Sequence, residues 1–211
     1  MKNKVGVLNI GISNLGKICN ALDYLGVNPV IINNQKDLIN SERIIFPGIG
    51  NFGVASRIIK RLNWYEVLRE HCLIKKKPYF GICLGMQILC NSSQEAPNEK
   101  GLKIFNLECR KLKTKNKNLY TIPHIGLNIV KPSLKNKHSR IQVNIKEKNF
   151  YFIHSYYIKF LKDKDYMKGL TQYDENLICS FIEKENIFAS QFHPELSGPN
   201  GLKLIKSFLK L

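Results

Sequence analysis

Residues 78–89, a short apolar run, the turn Gly81-Ile82-Cys83-Leu84-Gly85 and a second apolar stretch, constrain this chain more than any other segment. A strand that turns sharply into a helix belongs in a sheet whose strands are joined through helices, and hence in a parallel α/β architecture. The glycines two residues to either side of Cys83 permit a tight turn. They would lift the thiol to its apex and aim backbone N–H groups at whatever it attacks. The same residues equally suit a buried cysteine in an ordinary strand-to-helix turn, because short motifs recur by chance.

The chain before this elbow alternates strand and helix. Residues 5–10 form a continuous apolar run of the kind that fills a central parallel strand, and Gly11-Ile12-Ser13-Asn14 turns out of it. Ser13 or Asn14 is expected to cap a helix carrying Leu15, Ile18, Cys19, Leu22 and Leu25, which Gly26 stops. Residues 30–32 and 44–46 read as further strands, with a short helical piece around 37–39 between them. Residues 54–62 and 64–75 read as helices, and 79–80 as the strand before the elbow. The glycine-rich turn Pro47-Gly48-Ile49-Gly50-Asn51-Phe52-Gly53 could cradle phosphate, but it lacks the Gly-Lys-Ser/Thr of a P-loop and the spacing of a dinucleotide fingerprint. Its alternative role is that of an adjustable peptide beside a neighbouring site. That turn and Cys83 both fall at carboxyl ends of strands, where parallel sheets bind ligands.

Past residue 99 the rhythm changes. Apolar runs at 104–109, 125–130, 141–145, 150–158 and 178–182, separated by polar segments, read as antiparallel strands that extend the sheet or form a small second one. Residues 189–192 read as a last strand leading into His193-Pro194-Glu195. Residues 201–211 read as a closing helix with Leu202, Ile205, Phe208 and Leu209 on one stripe. The expected fold is a single α/β domain over 1–211, with a mostly parallel central sheet flanked by helices and a smaller antiparallel sheet region.

Composition narrows the function classes. No apolar run approaches the roughly 18 to 20 residues of a membrane span, and residues 1–4 lead straight into a strand, so the chain is expected in the cytoplasm. Six cysteines are scattered without Cys-x-x-Cys or zinc spacing, which argues against a disulfide framework and against a metal site. The net charge of +17 would suit nucleic acid, but it comes mostly from lysines beside asparagines, as in residues 113–118 and 135–140. No reading motif or aromatic platform accompanies it, so a nucleic-acid-binding module without catalysis is only an alternative.

The strongest partner for Cys83 is His193-Pro194-Glu195. In an extended segment residues two apart share a face, so Glu195 would reach His193 while Pro194 fixes the backbone between them. A carboxylate orienting an imidazole that faces a thiol makes a nucleophilic triad in the chain order Cys, His, Glu.

Gly81-Ile82-Cys83-Leu84-Gly85-Met86-Gln87 together with Gln191-Phe192-His193-Pro194-Glu195 resembles the class I, triad-type glutamine amidotransferases. Within them, Asn14-Leu15, Pro47 to Phe52, Pro123-His124-Ile125-Gly126-Leu127-Asn128, Phe152 to Tyr157 and Phe192 to Gly198 resemble the glutaminase subunit of imidazole glycerol phosphate synthase. The resemblance implies a flavodoxin-like fold, no cofactor, L-glutamine as substrate and a (β/α)8-barrel synthase as heterodimeric partner. Cys83 would attack the carboxamide, His193 would protonate the departing ammonia, and Glu195 would hold the imidazole. The N–H of Leu84 and one from Gly48-Ile49-Gly50 would form the oxyanion hole. Gly48, Gln87, His154, Ser155 and Tyr156 would hold glutamine. Asn14, His124, Ile125, Leu127, Tyr151 and Leu196 would meet the synthase.

Plainer structural roles stand beside these: His124 bracing a turn, Tyr156 in the core and Asn14 capping a helix. His71, in a helix, and His138, in a basic loop, are read as non-functional. The sequence departs from the family pattern at Ser13, Leu127 and Leu196, all on the surface expected to meet the synthase. The ammonia acceptor therefore lies between imidazole glycerol phosphate and, in a paralogous system, a surface-polysaccharide sugar. A cysteine peptidase is a second enzyme class, disfavoured by Gln87 and the His-Ser-Tyr-Tyr run, which suit a small amino-acid ligand.

Overall fold

The computed structural model describes residues 5–133 and 148–211. The strand expected at 141–145, the basic stretch 135–140 and His138 lie outside the described residues.

Four apolar runs form the parallel strands β1 (Val5–Leu8), β3 (Arg43–Phe46), β4 (Tyr79–Ile82) and β12 (Ile187–Ser190), each buried at every position. Burial on both faces is what makes such strands read as continuous rather than alternating apolar sequence. With β2 (Val30–Ile32) at the edge, these five pair in parallel in the order β2-β1-β3-β4-β12. The same sheet continues antiparallel through β11 (Asn176–Lys184), β10 (Met167–Tyr173), β7 (His124–Pro132) and β8 (Lys148–His154). A second, three-stranded sheet holds β5 (Ser92–Ser93), β6 (Glu108–Lys111) and β9 (Tyr156–Ile158). The runs 125–130, 150–158 and 178–182 thus supply antiparallel strands, and the second sheet is mixed, β5 pairing parallel and β9 antiparallel to β6.

Alternation along the parallel strands divides the core in two. Val5, Val7, Ile45, Phe80 and Ile82 pack under α1 (Leu15–Tyr24) and α6 (Gly198–Leu209) through Ile18, Leu22, Leu204, Ile205 and Phe208. Leu8, Ile44, Phe46 and Tyr79 face the opposite layer. There they meet Leu38 of α2 (Gln35–Asn40), Phe52, Ala55 and Ile59 of α3 (Phe52–Arg61), Trp64, and Leu68 of α4 (Tyr65–Arg69). The helix expected over 64–75 begins as α4 and ends in a π-helical turn, Glu70–Ile74.

Four sequence expectations are corrected. Asn14 precedes α1 but its side chain makes no cap hydrogen bond, and Ser13 Oγ donates instead to the Pro47 carbonyl at 2.9 Å, tying the first turn to the glycine-rich one. The run 150–158 is two strands, because Ser155 breaks it and passes β9 to the second sheet. The run 104–109 is mostly loop, its strand being β6. The last strand stops at Ser190, and Pro194–Leu196 is a 3-10 turn, so Glu195 does not lie on an extended segment with His193. Proline at the start of a helical turn costs no hydrogen bond, which is why the chain curls there.

Candidate active site

At the elbow Cys83 has φ 52° and ψ −100°, a conformation that costs a non-glycine residue on the order of 1–3 kcal/mol. Its surroundings enforce it. A side chain at Gly85 would collide with the Phe46 carbonyl of β3, and one at Gly81 with the Gly85 carbonyl, so the helix start lies directly on the sheet. The buried Tyr79 hydroxyl donates to Gly85 O at 2.8 Å, and the Cys83 N–H donates to Ser190 O at 2.7 Å, joining the elbow to the end of β12. The helix α5 (Leu84–Gln87) begins one residue later.

His193 is reached from the same strand end. Its N–H donates to Tyr151 O at 2.8 Å, while Ser197 Oγ donates to His193 O at 2.5 Å and accepts from Tyr151 N at 2.9 Å. The 3-10 turn places Glu195 Oε1 2.8 Å from His193 Nδ1, so Nδ1 carries the donated proton and Nε2 is left for Cys83. Both side chains are buried, at 2% and 6% exposure, and among the described residues Glu195 Oε2 has no hydrogen-bond partner while Nε2 has none but the Cys83 sulfur it faces. Burial alone would lower the His193 pKa, but the negative charges of Cys83 and Glu195 outweigh it and raise the value to about 10. The site therefore favours an imidazolium beside the thiol, as an activated cysteine requires.

Beside Cys83 opens a cavity of about 250 Å³, lined by Ile49, Gly50, Leu84, Gln87, Glu95, Pro123, Ile153, His154, Ser155 and Tyr156. It is smaller than the roughly 300 Å³ at which clefts for drug-sized ligands begin. The break at Ser155 brings 154–156 to its wall. Gln87 Nε2 donates to Tyr156 O at 2.7 Å, and His154 Nδ1 donates to the same carbonyl at 2.9 Å. With Nδ1 a donor, His154 Nε2 must accept, so His124 Nδ1 donates to it at 3.2 Å and His124 Nε2 accepts from Asn128 at 3.3 Å. Burial holds His124 down to about 4 and, with the neighbouring His124, takes His154 to about 3, so both rings are neutral near pH 7.

The expected oxyanion donors are partly engaged. The Leu84 N–H donates to Gly48 O at 3.3 Å, while Ile49 and Gly50 border the cavity, Gly50 at φ +152°. Gly48 touches Leu84 rather than the cavity, since a Cβ there would meet the Leu84 side chain.

Of the residues expected at a partner, Asn14 and Leu196 are exposed, Ile125 is 54% and Leu127 67% exposed, and Tyr151 is half-buried. His124 is corrected. It is 3% exposed and stacks on Tyr173 at 3.9 Å and Phe152 at 4.7 Å, because β7 alternates and turns its side chain under the sheet while Ile125, Leu127 and Ile129 face out. It braces that face rather than forming it. His71 is likewise buried, its Nε2 3.2 Å from Pro78 O.

Three residues of the site were assigned no role from sequence, although Ile153 and Gln191 lie within the quoted motifs. Glu95 lies in a polar stretch, and its Oε2 accepts the Phe52 N–H at 2.7 Å at the start of α3. Ile153 O lies 3.9 Å from Cys83 Sγ. Gln191, read as part of the last strand and of the motif ending in Glu195 but given no role, is fully buried with Nε2 3.5 Å from Cys83 Sγ. Among the described residues no group of three or more His, Cys, Asp or Glu side chains is placed to hold a metal, and no helix is long and apolar enough to cross a membrane.

Comparisons with known proteins agree with this geometry. The fold is shared with the crystal structure of a glutamine amidotransferase, at a TM-score of 0.71 and 17% identity over 98% of this chain and 97% of that one. A glutamine amidotransferase from Thermotoga maritima also matches, at a TM-score of 0.63 and 16% identity over 99% of this chain and 83% of that one. The imidazole glycerol phosphate synthase subunit HisH 2 of Methanococcus maripaludis is 38% identical over 98% of both chains. The HisH subunit of Caldanaerobacter subterraneus is 38% identical over 97% of this chain and 96% of its own. The imidazole glycerol phosphate synthase hisHF of Schizosaccharomyces pombe is 34% identical over 97% of this chain, which spans 38% of that protein. The family described as glutamine amidotransferase class-I matches residues 6–211. With its thiol on a strained elbow, a Glu-oriented histidine beside it and these relatives along its whole length, the chain belongs to the class I glutamine amidotransferases, among the glutaminase subunits of imidazole glycerol phosphate synthase.

Proposed function

We propose that this enzyme hydrolyses glutamine to glutamate and ammonia in the cavity beside Cys83. Ammonia then passes to a (β/α)8-barrel synthase subunit that forms imidazole glycerol phosphate and AICAR in histidine biosynthesis. The observation that carries the reading is the alignment of Cys83, His193 and Glu195 at a cavity sized for an amino acid.

The Cys83 sulfur attacks the carboxamide carbon. The imidazolium of His193 gives its Nε2 proton to the leaving nitrogen, and the carbon–nitrogen bond breaks. The neutral imidazole then takes a proton from water, which attacks the thioester. Carbon–sulfur cleavage releases glutamate and restores the thiolate. Glu195 keeps Nδ1 protonated throughout. Glu95 supplies a carboxylate for the substrate ammonium, and Gln87, His154, Ser155 and Tyr156 form the wall against its α-carbon end.

The oxyanion hole needs the Leu84 N–H, now turned to Gly48 O, and an N–H from Ile49 or Gly50. Rotation of the Gly48–Ile49 peptide would free the first and present the second. Ile49 is 42% exposed and lines the cavity with Ile153, which pairs with Ile125 of the exposed row Ile125, Leu127 and Ile129 on β7. Exposed apolar side chains grouped on one face mark a docking surface. A barrel subunit seated there would press on the peptide that completes the site, coupling hydrolysis to the acceptor.

Purified chain should hydrolyse glutamine slowly, accelerate with the ligand-loaded synthase subunit, and lose both rates in Cys83→Ala. A second reading, supply of ammonia for sugar amination, is favoured by Ser13, Leu127 and Leu196 on the docking side. Methanococcus maripaludis supplies two relatives, named HisH 1 and HisH 2, so duplicated copies exist. Failure to complement a histidine auxotroph lacking its glutaminase subunit would select that reading.

A further inference from the structure

We propose that Gln191 is a further catalytic residue. Its side-chain amide donates a hydrogen bond to Cys83 Sγ, stabilising the thiolate before attack and again when it leaves the thioester. The inference rests on the reading of Cys83 as the nucleophile.

The orientation of this amide follows from a chain of hydrogen bonds anchored on a main-chain oxygen. Tyr156 O can only accept, so the group 2.7 Å from it is Gln87 Nε2, a donor. That same nitrogen lies 3.2 Å from Gln191, whose facing atom must therefore be the acceptor Oε1. Gln191 Nε2 is left facing Cys83 Sγ at 3.5 Å. Turning the Gln191 amide over would oppose two N–H donors at Gln87 and set an oxygen against sulfur.

Three features give the contact chemical weight. Gln191 is 0% exposed, so water cannot replace the bond it makes. Its neighbour Ser190 accepts the Cys83 N–H at 2.7 Å, so one short segment holds both the backbone and the sulfur of the elbow. Sγ also lies 3.9 Å from Ile153 O, an acceptor that suits the protonated thiol, and faces the His193 imidazole that exchanges its proton. Gln191 therefore offers the sulfur a hydrogen-bond donor, as the His193 imidazolium does. A donor to a thiolate lowers its pKa, and it eases departure of the same sulfur when water has added to the thioester carbon. The step balances without other reagents, since water supplies the oxygen and His193 shuttles the proton.

The test compares the full-length chain with Gln191→Met, similar in length without a donor, and Gln191→Glu, alike in shape with only acceptors when ionised. Alkylation of Cys83 by iodoacetamide is followed across pH by mass spectrometry of the peptide containing it. The expected result is a rise in the midpoint of about one pH unit in Gln191→Met and a larger rise in Gln191→Glu. The kcat for glutamine at neutral pH should fall about tenfold with KM changed by less than about threefold. A merely structural role would leave the midpoint in place. If Gln191→Met does not fold, the shift in Gln191→Glu decides alone. An unchanged or lowered midpoint in the folded variants, with Cys83→Ala inactive, overturns the role of Gln191. Full glutaminase activity in Cys83→Ala overturns the nucleophile reading beneath it.

Discussion

Replacing Glu195 by glutamine tests how the site charges its histidine. Glu195 Oε1 lies 2.8 Å from His193 Nδ1 with both side chains buried, so the pair is poorly screened, and a hydrogen bond to a charged group contributes about 1.5–3 kcal/mol. The amide oxygen of Glu195→Gln keeps the Nδ1 tautomer but removes the charge. The His193 pKa should drop from about 10 by about one to two units. Because the folded-state value lies above the ordinary value of 6.5, the bound proton stabilises the fold in full below pH 6.5, and this contribution is lost as pH rises toward 10. Glu195→Gln should therefore unfold about 2 kcal/mol more easily at pH 6 and show a much smaller deficit near pH 10. Urea denaturation at the two pH values, with an NMR titration of the His193 ring, measures both effects. Glutamine turnover should fall about 100-fold. An equal stability deficit at both pH values, or an unmoved His193 midpoint, would refute the assignment.

Three further outcomes are expected. Acid should destabilise the fold through the histidines buried neutral: His71 and His124 lie at about 4 and His154 at about 3, so their contribution is intact above pH 6.5 and lost as pH falls toward 4. For His71 alone this is about 3 kcal/mol, readable as a lower urea midpoint at pH 4.5 than at pH 7, and one that His71→Gln should reduce. Gly85→Ala should cost at least about 2 kcal/mol, because its methyl would meet the Phe46 carbonyl of a central strand, and a denaturation midpoint within error of the parent would contradict that packing. Leu127→Asp, at a position 67% exposed, should leave the melting temperature and unassisted glutamine hydrolysis unchanged while weakening affinity for the synthase subunit at least about tenfold in a titration.

The parallel half of the fold was legible because strands buried on both faces, such as Val5–Leu8 and Arg43–Phe46, read as apolar runs between periodic helices. β10 went unread for the opposite reason. Its inward positions are Met167, Gly169, Thr171 and Tyr173, a set with no visible alternation of apolar and polar residues. The elbow announced itself through Gly81 and Gly85, glycines the packing requires. The pairing of His193 with Glu195 was expected for a mistaken reason, since a 3-10 turn at Pro194 joins them rather than an extended face. Local sequence could not reveal Glu95, nor the role of Gln191 within its motif, because each acquires its role only when segments far apart in the chain meet around Cys83. His124, expected at the partner from the resemblance, is buried because strand alternation turns it to the face opposite Ile125 and Leu127.

The most direct measurement is the mass of the peptide containing Cys83 after the enzyme, turning over glutamine, is quenched in acid. A γ-glutamyl adduct is expected on Cys83 alone among the six cysteines, with no adduct and no ammonia from Cys83→Ala. Ammonia released at the parental rate by Cys83→Ala, or turnover with the adduct on another residue, would contradict Cys83 as the nucleophile.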